Sequence, residues 1–104
     1  MLIFNKQEDL KNHLKSVSNQ NKTIGFVPTM GALHQGHLSL IQNSLAENQI
    51  TVVSIFVNPT QFNNAEDLKK YPRTLEKDTQ KIETVSKEVI IFAPSVDDIY
   101  QGNT

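Results

Sequence analysis

Two histidines three apart, His34 and His37, share the ten residues PTMGALHQGH (28–37) with two glycines, in a chain that has only three histidines and four glycines. Imidazoles at that spacing project from one side of a helical first turn. Each can donate a hydrogen bond to a phosphate oxygen, and a protonated one can offset charge developing on a leaving group. Gly31 permits a sharp turn with positive φ. Gly36 has no side chain, so a phosphate can approach the start of a following helix, where unpaired N–H groups carry partial positive charge. Two other readings stand beside this one. Loop histidines are usually solvated or hydrogen-bonding groups, and His13 is read so. A zinc pair is the sharper competitor, but zinc takes three or four ligands, the chain has no cysteine, and no third ligand is indicated.

The elements that must position these residues follow from periodicity. Thr23–Val27 (TIGFV) is short, apolar and partly β-branched, which predicts a buried strand ended by Pro28. Leu38, Ile41 and Leu45, with Leu40 widening the stripe, predict an amphipathic helix from about Gly36 to Glu47. Ile50–Val57 (ITVVSIFV) is nearly continuously apolar, as in a strand covered on both faces, and Asn58-Pro59 ends it. Gln61 to Arg73 reads as a long polar connection with a turn or two of helix over Ala65–Lys70. Thr74 is placed to cap a helix to about Ser86 with Leu75, Ile82 and Val85 inward. Val89–Phe92 predicts a third strand. Before all of these, Asn5 and Glu8 resemble a helix-start pattern, followed by Leu10, Leu14 and Val17 on one face.

Strands alternating with helices predict an α/β fold: a parallel sheet with right-handed crossovers and helices on both faces, half of a doubly wound, Rossmann-like nucleotide-binding sheet. Ligands of such sheets bind beyond the carboxyl ends of the strands. Those ends are Val27, Val57 and Phe92, so PTMGALHQGH and NPTQF (58–62) fall on one rim.

Composition narrows the class. The 104 residues suit one small domain, able to bury roughly 60 to 68% of its unfolded surface. Apolar content of 38% and charged content of 20% mark a globular chain. A net charge of −1 argues against electrostatically driven binding to nucleic acid or membrane. The N-terminus lacks the apolar run of a signal peptide, and no stretch approaches the roughly 18 apolar residues of a membrane span. The expected location is the cytoplasm.

The histidine–x–glycine–histidine pattern after a first strand resembles the nucleotidyltransferase superfamily. PTMGALHQGH, VSIFVNPTQF, EDLKKYPRTLEKD and FAPSVDDIY, in that order, resemble the pantothenate synthetase (pantoate–β-alanine ligase) family across most of residues 25–100. The resemblance implies an ATP-dependent ligase: ATP and pantoate form pantoyl adenylate and release pyrophosphate, and β-alanine then displaces AMP to give pantothenate. It implies Mg2+ on the phosphates, a homodimeric full-length protein, and small-molecule partners only. By position it implies an ATP-contacting loop of Met30, Gly31, Ala32, Leu33, His34, Gln35, Gly36 and His37, with His34 and His37 on the phosphates and His37 as proton donor. Gln61 matches the glutamine that holds pantoate beside β-alanine. Phe56 and Phe62 are placed to pack on pantoate's methyl groups, although core packing is the commoner fate of phenylalanine, and Asn58 is placed to reach substrate or fix the loop, with plain Asn-Pro turn chemistry an equal reading. Asp78 matches an acidic position near the metal, or else lies on a solvated helix face. Tyr71, Pro72 and Arg73 are given a structural role. The family's later lysine-bearing (glycine–glutamate–lysine–aspartate-like) and serine–serine–arginine motifs do not occur in these residues. The expectation is therefore that residues 1–104 form the N-terminal part of the nucleotide-binding domain. The alternatives are a nucleotide-binding module without turnover of its own, or another transferase of the superfamily.

Overall fold

The structure is a computed structural model that describes residues 1–18, 21–57, 74–95 and 98–99. Four strands form one parallel sheet: β1 (Leu2–Phe4), β2 (Ile24–Thr29), β3 (Ile50–Ile55) and β4 (Ile90–Phe92), in the order β1-β4-β3-β2. Helices α1 (Gln7–Ser18), α2 (Gln35–Glu47) and α3 (Leu75–Val85) connect or follow them.

The apolar runs of β3 and β4 exist because both faces of the sheet are covered. On one face Val27, Val53 and Ile91 pack with Leu33, Ile41 of α2 and Ile82 of α3. On the other, Val52, Ile90 and Phe92 pack with Leu10 and Leu14 of α1. Helices on both faces of a parallel sheet make this the α/β architecture expected from the strand–helix alternation.

Several details differ from the sequence reading. The Met1–Phe4 segment is a fourth strand, paired through Leu2 with Ile90 and Phe4 with Phe92; three residues are too few to show a period. Pro28 does not end β2 but lies within it, opposite Ser54. The N–H groups of Ile50 and Phe56 donate to the carbonyls of Thr23 and Thr29 at 2.9 and 3.0 Å. Odd-numbered residues of β2 thus turn towards β3, and the proline nitrogen turns to the outer edge, where it interrupts no ladder. Asn5 does not open α1. The N–H of Gln7 instead donates to Oδ2 of Asp98 at 3.0 Å, a partner 91 residues away. Leu40 is 55% exposed, outside the buried stripe of α2. Ser44 takes that side, its hydroxyl 2.7 Å from that of Thr51.

Candidate functional site

The carboxyl ends of β2, β3 and β4 lie on one rim, and the loop after β2 is built by partners from three elements. Thr29 closes the strand. Its hydroxyl donates to the carbonyl of Ser54 at 2.9 Å and accepts from the N–H of Gly31 at 3.2 Å. Two consecutive residues then take left-handed backbone, Gly31 with φ of 86° and Ala32 with φ of 51°. Glycine adopts this freely, whereas alanine does not and needs outside support.

Asp78 on α3 supplies that support. Its Oδ2 accepts from the N–H of Ala32 and its Oδ1 from the N–H of Leu33, both at 2.9 Å. Thr74 adds its hydroxyl to Oδ2 at 3.1 Å. The Asp78 side chain is wholly buried, so the solvated-face reading is overturned. One turn along, Lys81 donates from Nζ to the carbonyl of Leu33 at 2.8 Å. A buried carboxylate is tolerated only when hydrogen-bonded, and this one receives three bonds at the positive end of a helix. Asp78 falls in the stripe read from Leu75, Ile82 and Val85, at i, i+3, i+7 and i+10; Asp78 and Ile82 are buried, whereas Leu75, expected inward, is 41% exposed beside the cavity. An acidic residue on an inward stripe was the signal that could have revealed it.

The loop delivers the chain into α2 through His34, which is extended (φ −128°, ψ −177°) and occupies the N-cap. Its Nδ1 accepts from the N–H of Gly36 at 3.0 Å, while Nδ1 of His37 accepts from the N–H of His34 at 3.1 Å. The two residues therefore form a reciprocal capping box made of imidazoles. Their ring centroids are 4.0 Å apart and tilted by 41°, so the expected placement on one side holds. A nitrogen that accepts carries no proton, so each neutral ring holds its hydrogen on Nε2. His37 is held below the usual histidine range, first by burial and then by His34, against an opposing pull from Asp78.

This geometry alters the reading of Gly36. A Cβ there would lie 2.8 Å from Cε1 of His34, so the glycine first of all makes room for the capping imidazole. At this helix start the N–H of Gly36 is engaged by the His34 ring and that of Leu38 by the His34 carbonyl.

Beside the loop is a cavity of about 280 Å³ lined by Met30, Gly31, Ile55, Phe56, Val57, Leu75 and Pro94, with Asp78 in its wall. It touches the predicted nucleotide loop at Met30 and Gly31 only; His34 and His37 lie at the loop's other end. Gln61, Asn58, Phe62, Tyr71, Pro72 and Arg73 lie outside the described residues. Among the described residues no group of three or more His, Cys, Asp or Glu could hold a metal ion, which leaves the zinc reading without a third ligand there. No helix of the described residues is long and apolar enough to cross a membrane.

Comparison with known proteins agrees with this architecture. The family model described as pantoate-beta-alanine ligase matches residues 2–104. The pantothenate synthetase of Flavobacterium psychrophilum is 66% identical over 104 residues, which is 100% of this chain and 37% of that protein. That of Aquifex aeolicus is 54% identical over 99 residues, 95% of this chain and 35% of the relative. Among solved structures, the pantothenate synthetase of Thermus thermophilus superposes with a TM-score of 0.82 at 39% identity, covering 96% of this chain and 34% of that one. Pantoate-beta-alanine ligase from Francisella tularensis, complexed with beta-gamma ATP and beta-alanine, gives a TM-score of 0.81 at 44% identity over 97% of this chain and 38% of its own. The chain thus spans about a third of the length of the relatives it matches.

Proposed function

The chain belongs to the pantoate-beta-alanine ligase family, and we propose that it forms the nucleotide-facing part of an ATP-dependent ligase that joins pantoate to β-alanine through a pantoyl adenylate. The observation that carries this reading is one loop with two ends. Met30 and Gly31 border an apolar cavity, and His34 and His37 place two ring donors at a helix start.

In the first step a carboxylate oxygen of pantoate attacks the α-phosphorus of ATP. The bond from that phosphorus to the bridging oxygen breaks, and pyrophosphate leaves with the electron pair. A carboxylate is a weak nucleophile, so positioning and charge neutralisation carry the step. The cavity suits the dimethyl end of pantoate against Phe56, Ile55 and Leu75. His34 and His37 act as neutral Nε2–H hydrogen-bond donors to the phosphates. Neutral rings suffice, because pyrophosphate needs no proton in order to leave. This replaces a proton-donor role for His37: protonating Nδ1 would release the N–H of His34 from its cap. In the second step the amine of β-alanine attacks the acyl carbon, the bond to AMP breaks, and the amine loses a proton. Gln61 is assigned to hold pantoate, since an amide both donates to a carboxylate and accepts from a hydroxyl.

Magnesium is assigned to the nucleotide rather than to a protein cage. Asp78 is the one acidic side chain among the described residues lining the cavity, and both its oxygens accept bonds from the loop. Mg2+ commonly binds through substrate phosphates with one or two carboxylates, and no step here is routed through it. Dimerisation and a cytoplasmic location belong to the same reading of the complete protein.

The test is pantoate-dependent exchange of labelled pyrophosphate into ATP by the full-length protein. Exchange that requires pantoate is expected. Exchange indifferent to pantoate would favour another transferase of the superfamily. The 104-residue chain alone should release no AMP from ATP, pantoate, β-alanine and Mg2+.

A further inference from the structure

We infer that α3 is a positioning element for the nucleotide loop: Asp78 and Lys81 clamp the backbone at residues 32–33 from both sides and thereby set the direction of the His34 and His37 rings. The inference rests on the proposed reading only in what the rings are aimed at; the clamp itself is geometric.

Ala32 holds a left-handed φ of 51°, which a non-glycine residue keeps only where its surroundings impose it. The imposed contacts are the two N–H bonds to Asp78 and the carbonyl bond from Lys81. They bind donors and an acceptor of adjoining peptide units, so rotation of either unit breaks at least one of them. Only His34 separates Leu33 from the helix, and its ring is the N-cap. A shift in the peptide at 33 therefore moves the cap and, through the N–H of His34, the His37 ring that accepts from it. Asp78 and Lys81 are one turn apart on α3, so a single helix carries both jaws. A misplacement of about 1 Å in a catalytic group can cost on the order of 100-fold in rate.

The experiment uses the full-length protein with Lys81→Met, Lys81→Arg and Asp78→Asn, and with Lys77→Met on the same helix as a control. Lys81→Met keeps the aliphatic stem and removes the donor. Lys81→Arg restores a donor. Asp78→Asn keeps the shape but presents an amide N–H₂ to a backbone N–H. Two readouts are taken: ¹⁵N spectra of the histidine rings, which report the fixed tautomers, and pantoate-dependent pyrophosphate exchange. We expect Lys81→Met to retain its folded spectrum, lose the fixed tautomers of His34 and His37, and slow exchange by roughly 10- to 100-fold. Lys81→Arg should recover most of the rate, Asp78→Asn should behave like Lys81→Met or worse, and Lys77→Met should match the unmodified protein. Should Asp78→Asn fail to fold, the Lys81 pair decides. Unchanged ring spectra or an unchanged rate in folded Lys81→Met would overturn the inference. If the unmodified protein shows no pantoate-dependent exchange, the ligase reading fails, while the ring spectra still decide the clamp.

Discussion

The Cβ that Gly36 lacks would stand 2.8 Å from Cε1 and 3.1 Å from Nδ1 of His34. The glycine and the capping histidine are thus one feature, and substitution at 36 acts through residue 34. Gly36→Ala gains helix propensity of up to about 1 kcal/mol and loses a cap of about 1 kcal/mol. Stability should therefore hardly change, while ATP binding in the full-length protein weakens at least tenfold. Thermal unfolding and nucleotide titration of the same sample check both halves; a large stability loss with intact binding would contradict it.

The role of His37 separates into cap and donor. His37→Gln retains the acceptor that a capping box uses at this position but lacks the imidazole Nε2–H. His37→Ala loses both. Both variants should slow adenylate formation at saturating substrates by about 10²- to 10³-fold, or roughly 2.7 to 4 kcal/mol. Only His37→Ala should also lose about 1 kcal/mol of stability. Gln61→Ala should instead raise the KM for pantoate, because a group that holds substrate acts in the ground state too. Single-turnover rates and unfolding midpoints distinguish the three.

Acid should weaken the fold through the same residue. Burial and the neighbouring His34 lower the pKa of His37 below 6.5, so the unfolded chain takes up its proton first. The contribution is fully present above pH 6.5 and is lost as pH falls through that value towards the folded pKa. The unfolding midpoint should drop as pH falls below 6.5, and His37→Gln should show a smaller drop. An equal drop in both would assign the acid sensitivity to other groups.

Gly25 makes a prediction remote from the chemistry. A Cβ on this residue of β2 would run into the Ser44 hydroxyl and lie 2.5 Å from Nδ2 of Asn48. Ser44 is held by Thr51 and Asn48 by the carbonyl of Ser44, so neither swings aside freely. Gly25→Ala should cost about 1 to 3 kcal/mol as an overpacked contact, measured by denaturant unfolding, with the KM for ATP unchanged.

The alternation of apolar runs with 3.6-residue stripes was enough to place β2, β3, β4 and the three helices within a few residues, because burial on both faces writes itself into the composition of β3 and β4; β2, expected to be buried, is an edge strand with Phe26 58% exposed. It also put the histidine pair at a helix start on the rim formed by the carboxyl ends of the strands. The pairing of Leu2–Phe4 with β4, the cap that Asp98 gives to Gln7, and the clamp of Asp78 and Lys81 on residues 32–33 were not legible in that way. Each joins groups 45 to 91 positions apart or a strand of three residues to another of three. Such contacts leave no period in the chain. Residue types and spacing determined that two imidazoles would stand together. Which nitrogen each of them leaves free was decided only when the folded loop turned both Nδ1 atoms onto backbone N–H groups.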